Sequence, residues 1–260
     1  MEVTKDTLVV TDGELYQQGK MLGRGDEGSV FNYRDRYAIK IFTRYKALDS
    51  KVKLERKLRK ISAMFEQDDP NVAFPMGYVS SDGREIDGYY TRLVAGERHL
   101  KDFDDVAKLR DIRKQILLLK KGEEVLKRLH KQDIVLGDIK EDNILLDENE
   151  NPVYIDTDNY KYKKHFFDLI PTRAGVLYQQ FGGPLNYEDN DKLLYAIMAL
   201  HMLTRDKRFS HRALAQDIQE AAREAATDRE SREALEIIFS DATNKPYVGS
   251  VLEKVRDRRG

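Results

Sequence analysis

Residues 134–158, IVLGDIKEDNILLDENENPVYIDTD, govern how the rest of the chain is read. Asp138, Lys140 and Asn143 stand on a short loop between apolar runs. A turn follows at 148–152, and a second apolar run at 153–155 ends on Asp156. A hairpin brings its ends together, so this arrangement predicts that Asp138, Asn143 and Asp156 share one pocket. Two carboxylates and an amide are oxygen donors of the kind Mg²⁺ takes, its remaining positions going to phosphate oxygens and water. A polar hairpin with a solvated Asp is the plainer reading, and this stretch alone does not separate the two.

Around that stretch lies a chain of 260 residues, long enough for one large domain or two modest lobes. Its 45 basic and 46 acidic side chains nearly cancel, so net charge points neither to nucleic acid nor to an anionic membrane. The absence of cysteine excludes disulfides, thiolate metal sites and a cysteine nucleophile. No apolar run approaches ~18 residues and no leader pattern opens the chain, which predicts a soluble, cytoplasmic protein; delivery into another cell is compatible with this.

Residues 15–42 read as three antiparallel strands behind a short lead strand at 8–10. The first turn carries Gly23, Gly25 and Gly28 as G-x-G-x-x-G, followed by Val30. Such a turn lets backbone N–H groups cradle phosphate oxygens, and here a strand follows it where a dinucleotide-binding fold would place a helix. YAIKIF then sets Lys40, after Ala38, in the middle of an apolar strand. A buried ammonium is costly without a partner, and phosphate is the expected one. Helical spacing follows over 48–65, where Glu55 is either an i,i+4 partner for Arg59 or Lys51 on a solvated face or an inward acid that aims Lys40. Residues 72–94 read as a hairpin about 81–83. The composition then shifts near Gly96 from sheet to helix, giving a boundary between 1–95 and 96–260. Helical patterns follow at 106–130, 191–203, 212–239 and 246–257, with a long loop over 160–190.

Glycine loop, strand lysine, helix acid, D-x-K-x-x-N and a strand-end Asp stand here in one order. The chain resembles the eukaryotic-like protein kinase family, in its bacterial-type Ser/Thr form, over roughly residues 15–255. LGRGDEGSV matches the glycine loop, YAIK the strand lysine, LGDIKEDN the catalytic loop, and Asp156-Thr157-Asp158 the metal-binding Asp-Phe-Gly position. Asp191 resembles the acid that ties the catalytic loop to the large lobe, and residues 91–96 resemble the hinge, with Thr91 and Val94 beside adenine. The resemblance implies an α+β bilobal fold, a small antiparallel-sheet N-lobe with one main helix and a larger, mostly helical C-lobe. It implies ATP with Mg²⁺ or Mn²⁺. By resemblance, Gly23, Gly25, Gly28, Val30, Ala38, Lys40, Glu55, Thr91 and Val94 line the nucleotide, Asn143 and Asp156 hold the metal, and Asp138 and Lys140 are catalytic.

The chain also departs from that pattern. His-Arg-Asp is replaced by Leu136-Gly137-Asp138, and no Ala-Pro-Glu precedes Asp191. Gly137 has no side chain to grip a phosphorylated loop, which implies activity set by a protein partner or by loop packing. The implied substrate is a Ser/Thr hydroxyl of a protein. A small-molecule phosphotransferase of the aminoglycoside-kinase type and a non-catalytic nucleotide-binding scaffold are the alternatives.

Overall fold

A computed structural model describes residues 7–10, 20–25, 27–42, 48–95, 98–100, 112–162, 180–181, 187–210 and 213–255. The expected features at 15–19, at Gly96, at 106–111 and over most of the 160–190 loop lie outside these residues. The fold is α+β: strands dominate the N-terminal region and helices the C-terminal part. It forms two compact units, Met1–Glu97 with Val153–Asp158, and Arg98–Pro152 with Asn159–Gly260.

In the first unit, β1 (Thr7–Val9), β2 (Met21–Arg24), β3 (Gly28–Tyr33), β4 (Tyr37–Phe42), β5 (Pro75–Ser80) and β6 (Gly88–Arg92) make one sheet in the order β1-β5-β6-β4-β3-β2. All neighbours are antiparallel except β1 against β5. Arg34 and Asp35, both at positive φ, close the β3–β4 turn, with Asn32 and Asp35 hydrogen-bonded across it. Side chains alternate between faces along a strand. Ile39 therefore joins Phe31, Tyr33 and Val79 on one face, while Phe42 joins Tyr89 on the other. Against that second face pack Leu58 and Ile61 of α1 (Leu48–Ser62), with the Tyr78 hydroxyl donating to the Leu58 carbonyl at 2.9 Å. Gly28 must be glycine for a packing reason: a Cβ there would lie 2.2 Å from the Ile41 carbonyl oxygen of β4.

The segment Val153–Asp158 belongs to this unit by its backbone. Tyr154 donates to the Asn71 carbonyl and accepts from the Ala73 N–H, and the Thr157 hydroxyl donates to the Ala73 carbonyl. Asp156 follows at φ 60°, a left-handed conformation that Asp and Asn tolerate better than most residues.

The second unit is built on α2 (Ile112–His130), α3 (Tyr187–Thr204), α4 (Ala215–Ala225) and α5 (Arg229–Ile238). Its strands are short: β7 (Arg98–His99) pairs with β9 (Ile144–Leu146), and β8 (Ile134–Val135) with β11 (Lys161–Tyr162). One further strand, β10 (Pro152–Tyr154), begins at the last residue of the 98–152 stretch and continues into the first unit's segment, which leads to Asp156. The apolar periodicity around 191–203 becomes α3, whose residues are buried on nearly every side. Two expectations need correction. The 212–239 pattern is two helices, because Asp228 caps α5 by accepting the Ser231 N–H and so starts a new helix. The described part of the 246–257 pattern, up to Val255, holds two 3₁₀ turns, Val248–Ser250 and Leu252–Lys254, where Gly249 lies so close to Glu123 that a Cβ would come within 2.3 Å of its carboxylate.

Candidate functional site

Pairing places most of the expected nucleotide-facing residues of the first unit together. Val30 lies opposite Lys40, Lys40 opposite Tyr89 and Ala38 opposite Thr91, so these residues share one sheet face. Thr91 donates its hydroxyl to the Arg92 carbonyl, and Val94 is buried just after β6. A Cβ added to Gly23 or Gly25 meets nothing within 4 Å, unlike one at Gly28, so the turn keeps open space at those two positions.

Lys40 is 7 % exposed and lies among carboxylates. Its Nζ donates to Asp156 and, at 2.9 Å, to Asp158 Oδ1, with Glu27 Oε2 at 3.8 Å. Lys57 of α1, 2 % exposed, closes the ring: its Nζ is 2.6 Å from Asp158 Oδ2 and 2.6 Å from Glu27 Oε2, and 5.2 Å from the centre of the Phe42 ring. The Tyr89 hydroxyl adds a hydrogen bond to Asp158 Oδ1 at 3.2 Å.

The electrostatics follow from burial and sharing. Burial works against the Lys40 ammonium, but Asp158 and Asp156 outweigh it and push the group well above the ordinary lysine value. Burial likewise opposes ionisation of Asp158, yet Lys40 and Lys57 hold it well below the usual carboxylate range. Asp156 moves the other way: partial burial raises it, and the neighbouring Asp158 charge adds to that against the pull of Lys40. Tyr89 is raised well above the ordinary phenol by burial and then by Asp158.

Glu55 is not in this ring, which corrects the expected helix acid. It is exposed, and Lys40 is bonded elsewhere. The reason is helical phase: Leu54, Lys57, Leu58 and Ile61 form the inward stripe, and Glu55 sits about 100° around from Leu54. Lys57 occupies the inward position instead. A lysine in the i+3 place of an apolar stripe is the signal that the sequence offers for it.

In the second unit the D-x-K-x-x-N loop is tightly bonded. Lys140 Nζ lies 2.7 Å from Asp138 Oδ2, and the Asn143 amide donates to the Asp138 carbonyl at 2.9 Å and to Oδ2 at 3.1 Å. Buried Ile139 and Ile144 anchor the loop on either side. Asp191, fully enclosed at the start of α3, accepts the N–H groups of Leu136 and Gly137, each at 2.8 Å. Gly137 adopts φ 79°, which glycine takes without strain. His130 completes this set, with Nε2 3.0 Å from Asp191 Oδ2 and Nδ1 2.8 Å from the Tyr247 hydroxyl. Asp138 and Lys140 keep 20 % and 26 % of their side chains exposed.

The residues expected to hold a metal suit Mg²⁺ by donor type. Asn143 turns its amide nitrogen to Asp138, which leaves its oxygen as the donor end, and Asp156 supplies a carboxylate whose side chain is partly exposed. Asp156 belongs to the first unit and Asn143 to the second.

No family model matches the chain. It is 31 % identical over 152 residues to Kinase suppressor of Ras A of Caenorhabditis elegans, a stretch that covers 55 % of this chain and 18 % of that protein. The similarity is thus to less than a fifth of the relative's length. With the α+β fold, it supports a protein-kinase-like chain. Among the described residues no helix is long and apolar enough to cross a membrane.

Proposed function

We propose that the chain is an ATP-dependent phosphotransferase of the protein kinase type, in the bacterial-type Ser/Thr form, which passes the γ-phosphate to Ser or Thr hydroxyls of a protein. The observation that carries the reading is the Asp138 loop. A carboxylate that stays partly exposed is fixed by Lys140 and Asn143, on a backbone clamped through two N–H groups by Asp191. That is how a group meant to orient a hydroxyl and accept its proton is held ready. Lys140 neutralises charge beside it, Lys40 takes the α and β phosphates, and Asn143 and Asp156 are the metal ligands. Bound Mg²⁺ supplies neutralisation of the phosphate oxygens. An activating protein partner and a cytoplasmic location belong to the same reading.

Calorimetric titration with Mg·ATP, beside phosphate transfer to generic proteins, tests it. Asp138→Ala should lose transfer by at least ~100-fold and keep nucleotide affinity. Asp156→Asn, which tolerates the same backbone conformation, should lose both. Equal affinity in the two variants removes Asp156 from the metal, and transfer that survives Asp138→Ala overturns the assignment.

One observation favours a second reading, a nucleotide-binding scaffold without transfer: the Lys40 ammonium already has two bonded carboxylates. Nucleotide binding with no transfer to any protein would select it.

A further inference from the structure

The Lys40 ring contains two residues that the proposed reading leaves without a role, Asp158 and Lys57. Asp158 is fully enclosed: Lys40 and Tyr89 donate to Oδ1, and the Lys57 ammonium pairs with Oδ2 at 2.6 Å. Asp156 also bonds Lys40, but its side chain is partly exposed and it has a metal to serve in the proposed reading. Glu27 stands farther off, at 3.8 Å.

The identity of Lys57 explains why an acid is needed here. An acid at the inward position of α1 could pair with Lys40 directly. A lysine there repels it, and two buried ammonium groups, one from the sheet and one from the helix against it, are tolerable only with a carboxylate between them. Asp158 is that carboxylate. Lys57 in turn fixes Asp158 from the far side and reaches Glu27 beside the glycine turn, so helix, turn and Lys40 are joined through it.

We infer that Asp158, held by Lys57 of α1, is the positioning residue that aims Lys40 at the phosphates, in the place expected for a helix acid. The inference rests on the proposed kinase reading, and it concerns positioning: Asp158 acts through Lys40. Asp158 and Lys57 then fail as a unit, since each is fixed by the other.

The test uses the full chain and Asp158→Asn, Glu55→Gln, Lys57→Met and the double variant Lys57→Met/Asp158→Asn. Two readouts are taken: acetylation of Lys40 by limiting acetic anhydride, quantified by mass spectrometry without nucleotide, and calorimetric affinity for ATP in metal-free buffer. Asp158→Asn should raise Lys40 acetylation several-fold relative to the other lysines and weaken ATP at least tenfold. Glu55→Gln should move neither more than twofold, and the double variant should be no worse than Asp158→Asn. If Asp158→Asn does not fold, the double variant, which leaves no unmatched charge between these two positions, is judged by the same criteria. Unchanged acetylation, or losses in Glu55→Gln equal to those in Asp158→Asn, overturns the inference. Raised acetylation with unchanged ATP affinity also overturns it, by making Asp158 a structural partner alone. A native chain that binds no ATP, with or without Mg²⁺, overturns the kinase reading, and the acetylation result still tells which acid holds Lys40.

Discussion

The two polar clusters of this molecule solve one problem in different ways. Around Lys40, charged side chains from β4, α1, the glycine turn and the segment after β10 neutralise one another, with Lys40, Lys57 and Asp158 buried and Glu27 and Asp156 partly exposed. Around Asp191, one carboxylate serves the backbone N–H groups of a short loop and a histidine. In the first, each group's stability depends on a distant partner of opposite sign. In the second, Asp191 holds the loop through two backbone N–H groups, and Gly137 takes a φ of 79° where the protein kinases that the chain resembles have arginine. The lesson is that removing a member costs most where it leaves a charge, and less where it leaves an N–H.

The largest effect should follow from Lys57→Met. The side-chain volume is kept, but Asp158 and Glu27 lose their shared ammonium, and breaking a buried pair from one side costs about 3–5 kcal/mol. Chemical denaturation should show that loss, with Glu55→Gln within about 0.5 kcal/mol of the native chain as the matched surface change. A loss below ~1 kcal/mol for Lys57→Met would mean that water reaches the ring, and the contrast with Asp191 would collapse.

Asp191→Asn should come next. Asparagine can still accept from one of the Leu136 and Gly137 N–H groups, while its amide nitrogen faces the other, so one buried donor is left unmet at about 1–3 kcal/mol. Phosphate transfer should fall along with stability, because Asp138 rides on this backbone. An Asn variant with native stability but lost transfer would show that the clamp orients the loop without supporting the fold.

The same contrast accounts for what the sequence could disclose. Asp138, Lys140, Asn143 and Asp191 were legible because their partners lie on one loop or at one helix start, where spacing speaks directly. Lys40 was legible as a buried lysine on an apolar strand that needed a partner, and the expected phosphate was named where the chain supplies Asp156 and Asp158. The Asp158–Lys57 pair was not legible. Its members lie far apart in the chain, and only the phase of α1 against Leu54 and Leu58 turns Lys57 inward and Glu55 out. Gly28 was read for its approach to phosphate, whereas the Ile41 carbonyl already forbids a side chain there. The 3₁₀ turns after Tyr247 were hidden because a short apolar spacing fits either helix type.

The smallest effect concerns Glu123 of α2, which combines the two arrangements: a buried carboxylate that accepts the Gly249 N–H at 2.7 Å and pairs with Lys127 at 3.2 Å. Burial raises its pKa above the ordinary value, against the Gly249 N–H and Lys127, so the folded state holds this proton more tightly than the unfolded chain. Stability gained from that proton is fully present below the unfolded value of about 4.3 and is lost as pH rises through the folded one. At neutral pH Glu123 is therefore a small net burden. Glu123→Gln keeps an acceptor for Gly249 and leaves Lys127 its second partner, Glu124, at 2.7 Å. It should raise stability at pH 7 by up to about 1 kcal/mol, with the difference from the native chain shrinking as the solution is acidified towards pH 4. Thermal unfolding of both proteins over that range checks it. A variant less stable at pH 7, by a margin that closes on acidification, would show that the ionised Glu123 is a net support like Asp158, and that charge pairing rather than backbone bonding governs this site too.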